Sequence, residues 1–337
     1  MSYPSCFHRA GCSPRAGGRM RTGRRNAGFP VNRRMALSLA TACLLAVTSG
    51  AAEAAGKLKA IASFSILGDL VAQVGGERVE IVTLVGPDSD AHVYEPKPDD
   101  ARRVAAADIV FVNGLGFEGW LGRLLEASGG KSVVTLSAGV KDIAAEEHDH
   151  SDEADHDHDH GATDPHAWQS VPNVRVYVRN IADALCKSDA AGCSTYKANA
   201  ATYDTQLQAL DADIRKSVSA IPENRRIVIT SHEAFGYFAS EYGIRFLAPE
   251  GVSTESEASA RDVARLIRQI RDSKASALFV ESISDPRLIE QISRETGLKS
   301  GGALYSDALS KESGPAPNYI AMMKHNIDVL TAAMRGS

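Results

Sequence analysis

From Ser194 to Ala220 the chain contains neither proline nor glycine, and Tyr196, Tyr203, Leu207, Leu210, Ile214 and Val218 recur at helical spacing. A helix over 194–220 would run for roughly seven turns, about 40 Å at ~1.5 Å per residue. Such a helix predicts a stiff strut crossing from one lobe to another, rather than a loose hinge.

On both sides of that stretch, β-branched apolar runs alternate with amphipathic segments, the pattern of an α/β fold with parallel sheets. In the first half the runs lie at 57–64, 79–85, 108–113 and 132–137, with helices expected around Leu67–Val74, Asp99–Ala107 and Phe117–Ala127. In the second half they lie at 226–231, 244–250, 277–282 and about 301–306. Asp285-Pro286 and Ser259 with Asp262 are helix-start signals in that half. The fold class expected is therefore α/β, with two lobes of four parallel strands joined by one long backbone helix. The domain boundaries read as 56–190 for the N-terminal lobe, 194–220 for the linker helix and 221–337 for the C-terminal lobe. A chain of 337 residues is long enough for two such domains.

Residues 1–55 are of another kind. They hold eight of the chain's 37 basic residues and one of its 42 acids, followed by an apolar run from Met35 to Val47 and small residues up to Ala55. A basic flank, a short apolar segment and an Ala52-x-Ala54 site make a secretory signal peptide, expected to be cleaved near Ala54 or Ala55. The run is too short for a membrane-spanning anchor. Residues 1–30 read as translated leader, with synthesis expected to begin near Val31 or Met35. The apolar run continues past Cys43, which favours a freely soluble exported form, in the periplasm, over a lipidated one.

Without that segment the protein carries about twelve net negative charges. Such a surface repels nucleic acid and anionic membranes and accepts cations, so no nucleic-acid partner is expected. Two cysteines remain, Cys186 and Cys193, and in an oxidising compartment the simplest reading of the pair is a disulfide. Two buried thiols are the alternative.

Three histidines and one aspartate follow expected strands: His92 after the second, His166 after the fourth, His232 after the first of the second half and Asp307 after the last. In open parallel sheets, ligand-binding groups gather at the carboxyl ends of strands. Two lobes facing one another could close these four residues around one ion, and three imidazoles with one carboxylate suit Zn²⁺. Separately, the segment EEHDHSDEADHDHDHG beginning at Glu146 places His148, His150, His156, His158 and His160 among acids, with almost no apolar residue. It reads as a mobile loop (146–162) able to collect cations.

The chain resembles the metal-receptor family of ABC importers, the zinc and manganese solute-binding proteins. The matching pieces are HVYEPKP at 92–98, NGLGFEGWL at 113–121, DPHAW at 164–168, SHEAFGYF at 231–238 and YSDALS at 305–310. The resemblance implies two α/β lobes joined by a long helix, a buried metal between them, and His92, His166, His232 and Asp307 as its ligands. It implies delivery to an ABC-transporter membrane permease with its cytoplasmic ATPase. An acidic, His-rich loop before the second histidine is characteristic of the zinc branch, and manganese receptors typically carry Glu where this chain has His232. One departure is Asp90-Ala-His92, where many members have proline directly before the histidine.

Zn²⁺ is thus the expected ligand, a monomer the expected state, and a periplasmic zinc metallochaperone a further partner. No enzymatic activity is expected, since no HExxH motif is present and four protein ligands leave no position for a reactive water. Gly114-Leu-Gly116-Phe-Glu-Gly119 fits a dinucleotide fingerprint but follows the third strand, not the first, and is better read as a turn into a helix. The alternatives to a zinc receptor are a periplasmic zinc buffer or chaperone, and a Mn(II) or Fe(II) receptor of the same family.

Overall fold

The computed structural model describes residues 56–145, 163–273 and 275–336. The signal segment and the His-rich loop read from the sequence lie outside these residues.

The first lobe runs β1 (Leu58–Phe64), α1 (Ser65–Gly75), β2 (Val79–Val85), α2 (Pro98–Ala106), β3 (Ile109–Val112), α3 (Leu121–Ala127) and β4 (Val134–Thr135). Two helices follow, α4 (Val171–Ser188) and α5 (Cys193–Ser219). The second lobe runs β5 (Ile227–Ile229), α6 (Gly236–Tyr242), β6 (Arg245–Leu247), α7 (Ala260–Ser273), β7 (Ala277–Glu281), α8 (Pro286–Thr296) and β8 (Ser300–Leu304), and α9 (Tyr319–Gly336) ends the described chain.

The two lobes share one topology. Their strand orders are β2-β1-β3-β4 and β6-β5-β7-β8, with every pairing parallel. The interior strand β3, Ile-Val-Phe-Val, is buried along its whole length, as expected where helices cover both faces of a parallel sheet. Each lobe therefore points the carboxyl ends of its strands, and the loops that follow them, toward one edge.

Several strands are shorter than their apolar runs suggest. β5 spans only Ile227–Ile229; beyond it Thr230 still donates to the Leu247 carbonyl, while the backbone N–H groups of Ser231 and His232 donate to a carboxylate oxygen of Glu281, at 2.8 and 2.9 Å. β4 is reduced to two residues. Ladder-like bonds from Leu136 to Val112 and Ser137 to Asn113 continue beyond it.

Helix α5 lies within one residue of the expected strut at each end, and all six residues of its stripe are buried. Its N-terminal half meets the first lobe, where the Asn199 amide donates to the Val74 carbonyl at 3.0 Å. Its C-terminal half meets the second, where Arg215 donates to the Glu241 carbonyl at 3.2 Å. It does not act alone. α4 folds back along it, tied by an Arg175–Asp204 ion pair at 2.6 Å and by a disulfide between Cys186 and Cys193 at the turn. The sequence reading left α4 unassigned, although Ser170 caps it and Pro172 stands in its first turn. α9 was also unassigned. Its Tyr319 is fully buried, donating its backbone N–H to Asp69 of α1 at 2.8 Å and its hydroxyl to the Trp168 carbonyl at 2.8 Å.

Candidate metal centre

His92 lies in the long loop after β2. The Asp90 Oδ1 accepts the His92 backbone N–H at 2.8 Å, and the Trp120 indole donates to the Ala91 carbonyl at 2.8 Å. An aspartate side chain thus shapes the turn that carries His92. His166 begins the short turn before α4. Its backbone N–H and its Nδ1 both meet Asp164 Oδ1 at 2.8 Å.

His232 follows β5, and Glu281, the last residue of β7, lies against it with Oε2 2.7 Å from Nδ1. Asp307 follows β8. The carbonyl just before it, that of Ser306, accepts from the Trp168 indole at 2.9 Å and from the Gln169 amide at 2.7 Å. The aspartate loop of the second lobe is therefore fastened to the first.

These loops bring the four residues into one cluster, their candidate donor atoms all within 4.8 Å of one another. Asp307 lies 3.3 Å from His92 Nε2, 3.1 Å from His232 Nε2 and 3.6 Å from His166 Nε2, and the Nε2 atoms of His92 and His166 are 3.3 Å apart. A tetrahedron with metal–ligand bonds of ~2.0–2.1 Å has edges of about 3.3–3.4 Å. His166, His232 and Asp307 are wholly buried and His92 nearly so.

Both oxygens of Asp307 and both ring nitrogens of His232 are buried without a hydrogen bond of normal geometry. Orphaned buried polar atoms are costly, and a cation among them would satisfy the carboxylate and the imidazole nitrogen beside it together. Burial pulls the His232 imidazole down, but the charges of Glu281 and Asp307 outweigh it and hold the ring well above its ordinary pKa. Burial likewise pushes the Asp307 carboxyl up, yet His232 and His166 hold it well below the usual range. The cluster is a buried charge network able to coordinate a divalent metal ion.

An aromatic wall backs the cluster. The Phe117 ring lies edge-on to His92, with centroids 4.6 Å apart, and Trp168 lies 5.2 Å from the ring of His166. Phe117 is placed by the glycine turn. Gly114 and Gly116 have φ of +85° and +81°, and a Cβ on Gly114 would stand 2.4 Å from Thr135. The backbone N–H groups of Asn113 and Gly114 donate to the Glu118 carboxylate at 2.6 and 3.1 Å. Groups that would cradle a phosphate in a dinucleotide fold are thus engaged by the loop's own side chain.

Asp164, Glu281, Glu118 and Asp90 were not read from the sequence as parts of the site. Asp164 and Asp90 had an available signal, a shared Asp-x-His spacing. Glu281 had none, since nothing local marks which residue faces His232. His148, His150, His156, His158 and His160 lie outside the described residues.

Comparison with known proteins finds relatives over most of the chain. The profile of a family described as zinc-uptake complex component A, periplasmic, matches residues 61–333. The manganese-binding lipoprotein MntA of Halalkalibacterium halodurans is 34% identical over 89% of this chain and 96% of its own. The iron-binding protein YfeA of Yersinia pestis is 32% identical over 82% of this chain and 86% of its own. Among solved structures, the periplasmic zinc binding protein TroA of Treponema pallidum superposes with a TM-score of 0.75 at 29% identity, covering 83% of this chain and 99% of that one.

Proposed function

The chain belongs to the family of periplasmic metal-binding proteins that serve ABC importers, and from that premise we propose that its cargo is Zn(II), held by His92, His166, His232 and Asp307. It is a solute-binding component, not an enzyme, and it works with a membrane permease and its ATPase.

The observation that carries the zinc reading is the donor set. Three imidazoles and one carboxylate, with the Asp307 contacts and the His92–His166 spacing at 3.1–3.6 Å, match the four nitrogen and oxygen donors that Zn²⁺ takes. Mn²⁺ favours harder, oxygen-rich sites. Asp164 and Glu281 on the far nitrogens of His166 and His232 orient each Nε2 inward and raise its basicity, the carboxylate–histidine arrangement common at zinc sites. Capture then consists of the two lobes' loops closing four donors on one ion, while Phe117, Trp168 and the buried surroundings exclude water. The His-rich segment would act ahead of this site, gathering ions weakly and raising their local concentration.

A second reading is favoured by the relatives with manganese-binding and iron-binding names. Under it the same cluster takes Mn(II) or Fe(II), adding water or a second carboxylate oxygen to the four donors.

The experiment is metal analysis and competitive titration of the exported chain, residues 56–337, beside His92→Ala/His166→Ala. One tightly held Zn(II), not displaced by equimolar Mn(II) or Fe(II) and lost in the double variant, is the expected result. Preferential retention of Mn(II) or Fe(II) would transfer the proposal to the second reading. Equal binding by wild type and variant would remove the four residues from the role.

A further inference from the structure

Asp90-Ala-His92 and Asp164-Pro-His166 are one three-residue arrangement used twice. In each, the aspartate Oδ1 accepts the histidine's backbone N–H at 2.8 Å. They then part. Asp164 also meets its own histidine's Nδ1 at 2.8 Å, so one carboxylate holds both ring and backbone. Asp90 turns its second oxygen across the cleft and accepts the hydroxyl of Thr254, in the loop after β6, at 2.6 Å.

The consequence falls on His92. All three rings face Asp307 through Nε2; those of His166 and His232 each meet a second carboxylate at Nδ1, whereas that of His92 rests edge-on against Phe117. His92 is also the most exposed of the four, at 5% against 0% for the other three. Its loop is held from its own lobe by Trp120 and across the cleft by the Asp88 N–H on the Leu309 carbonyl at 2.9 Å. Neither tie touches the Asp90 carboxylate, which is held between the His92 N–H and the Thr254 hydroxyl. Asp90 and Thr254 also line, with Ser231 and Glu250, a cavity of about 410 Å³ on the cleft.

We propose that the Asp90–Thr254 hydrogen bond is a cross-cleft latch that holds His92 in place and sets how long the bound ion stays, with exchange beginning at His92. The inference rests on the four-ligand reading above. Thr254 is a positioning residue in the second lobe acting, through Asp90, on a donor of the first. Loss of the Thr254 hydrogen bond would loosen the Asp90 turn beneath His92, while Asp164 and Glu281 still hold His166 and His232.

The test is release of the bound ion, Zn(II) or Mn(II), whichever the exported chain holds one-to-one, into excess chelator by stopped flow. Thr254→Val keeps the shape and removes the hydroxyl; Thr254→Ser keeps the hydroxyl. The expected result is release about tenfold faster in Thr254→Val, the scale of losing a hydrogen bond to an ionised carboxylate. Thr254→Ser should release at the wild-type rate, and the association rate and the melting temperature of the metal-free protein should stay near wild type in both. Unchanged release from Thr254→Val, with one tight ion in both proteins, overturns the latch and leaves the cargo reading standing. Equal acceleration in both variants also overturns it, because the hydroxyl would then not matter. A wild type that holds neither ion tightly overturns both.

Discussion

The carboxylate of Glu281 grips His232 by ring and backbone together: Oε2 lies 2.7 Å from Nδ1, while Oε1 accepts the His232 N–H at 2.9 Å and the Ser231 N–H at 2.8 Å. One side chain at the end of β7 therefore holds the backbone that follows β5, aims the His232 ring and, with Asp307, favours its charged form. Glu281→Gln keeps an acceptor for the backbone but removes the negative charge. Metal affinity should fall by roughly 10–100-fold, the usual cost of losing such a partner. Competitive titration measures this, and a melting curve of the metal-free variant shows whether the fold survives.

Replacing His232 itself by Glu changes the donor set from three imidazoles and one carboxylate to two of each. Zn(II) affinity should fall and Mn(II) affinity rise relative to wild type, because the added oxygen donor suits the harder ion. Pairwise competition between the two metals reads the ratio directly. An unmoved ratio would mean that donor identity does not set selectivity here.

The raised pKa of His232 gives a pH dependence with a definite sign. Its protonated ring, between Glu281 and Asp307, stabilises the metal-free fold fully below the ordinary histidine value of 6.5, and that contribution is lost as pH rises through the raised value. The depressed pKa of Asp307 acts oppositely: its stabilisation is present above the ordinary 3.8 and is lost as pH falls through the lowered value. A metal must displace the proton on His232. Affinity should rise by up to about tenfold per pH unit below the raised value, with about one proton released per ion from this ring. Calorimetry in buffers of different ionisation enthalpy counts that proton.

Deleting Glu146–Gly161 removes the five clustered histidines and leaves all four cleft donors. Total metal bound per chain should drop while one tight site persists at unchanged affinity. Loss of the tight site on deletion would refute the division of labour between loop and cleft.

The disulfide closes the turn between α4 and α5. Cys186→Ala/Cys193→Ala should destabilise the protein by ~2–3 kcal/mol, the chain-entropy value for so short a loop. The metal site lies at the carboxyl ends of the strands and takes no donor from this turn, so stoichiometry should not change. Denaturant melts with and without metal separate the two effects.

Much of the architecture was legible because its signals are local. The stripe of α5 repeats at helical spacing within one unbroken segment, and the β-branched runs that mark the two sheets need only their own neighbours to be recognised. Helices α4 and α9 escaped the sequence reading. The burial of α9 depends on α1 and α5, and its first residue, Tyr319, is tied to Asp69, distant in sequence.

The sequence by itself determined the strands and most of the helices, and placed His92, His166, His232 and Asp307 behind strands, because strand ends are written in short stretches of chain. Only the tertiary structure decided which side chains would stand behind those four. Glu281 meets His232 across 49 residues of sequence, and Thr254 meets Asp90 across 164. A hydrogen bond between such residues carries no local period or spacing. Its partners are chosen by where two lobes, each folded on its own pattern, bring their loops together around a buried charge that must be satisfied.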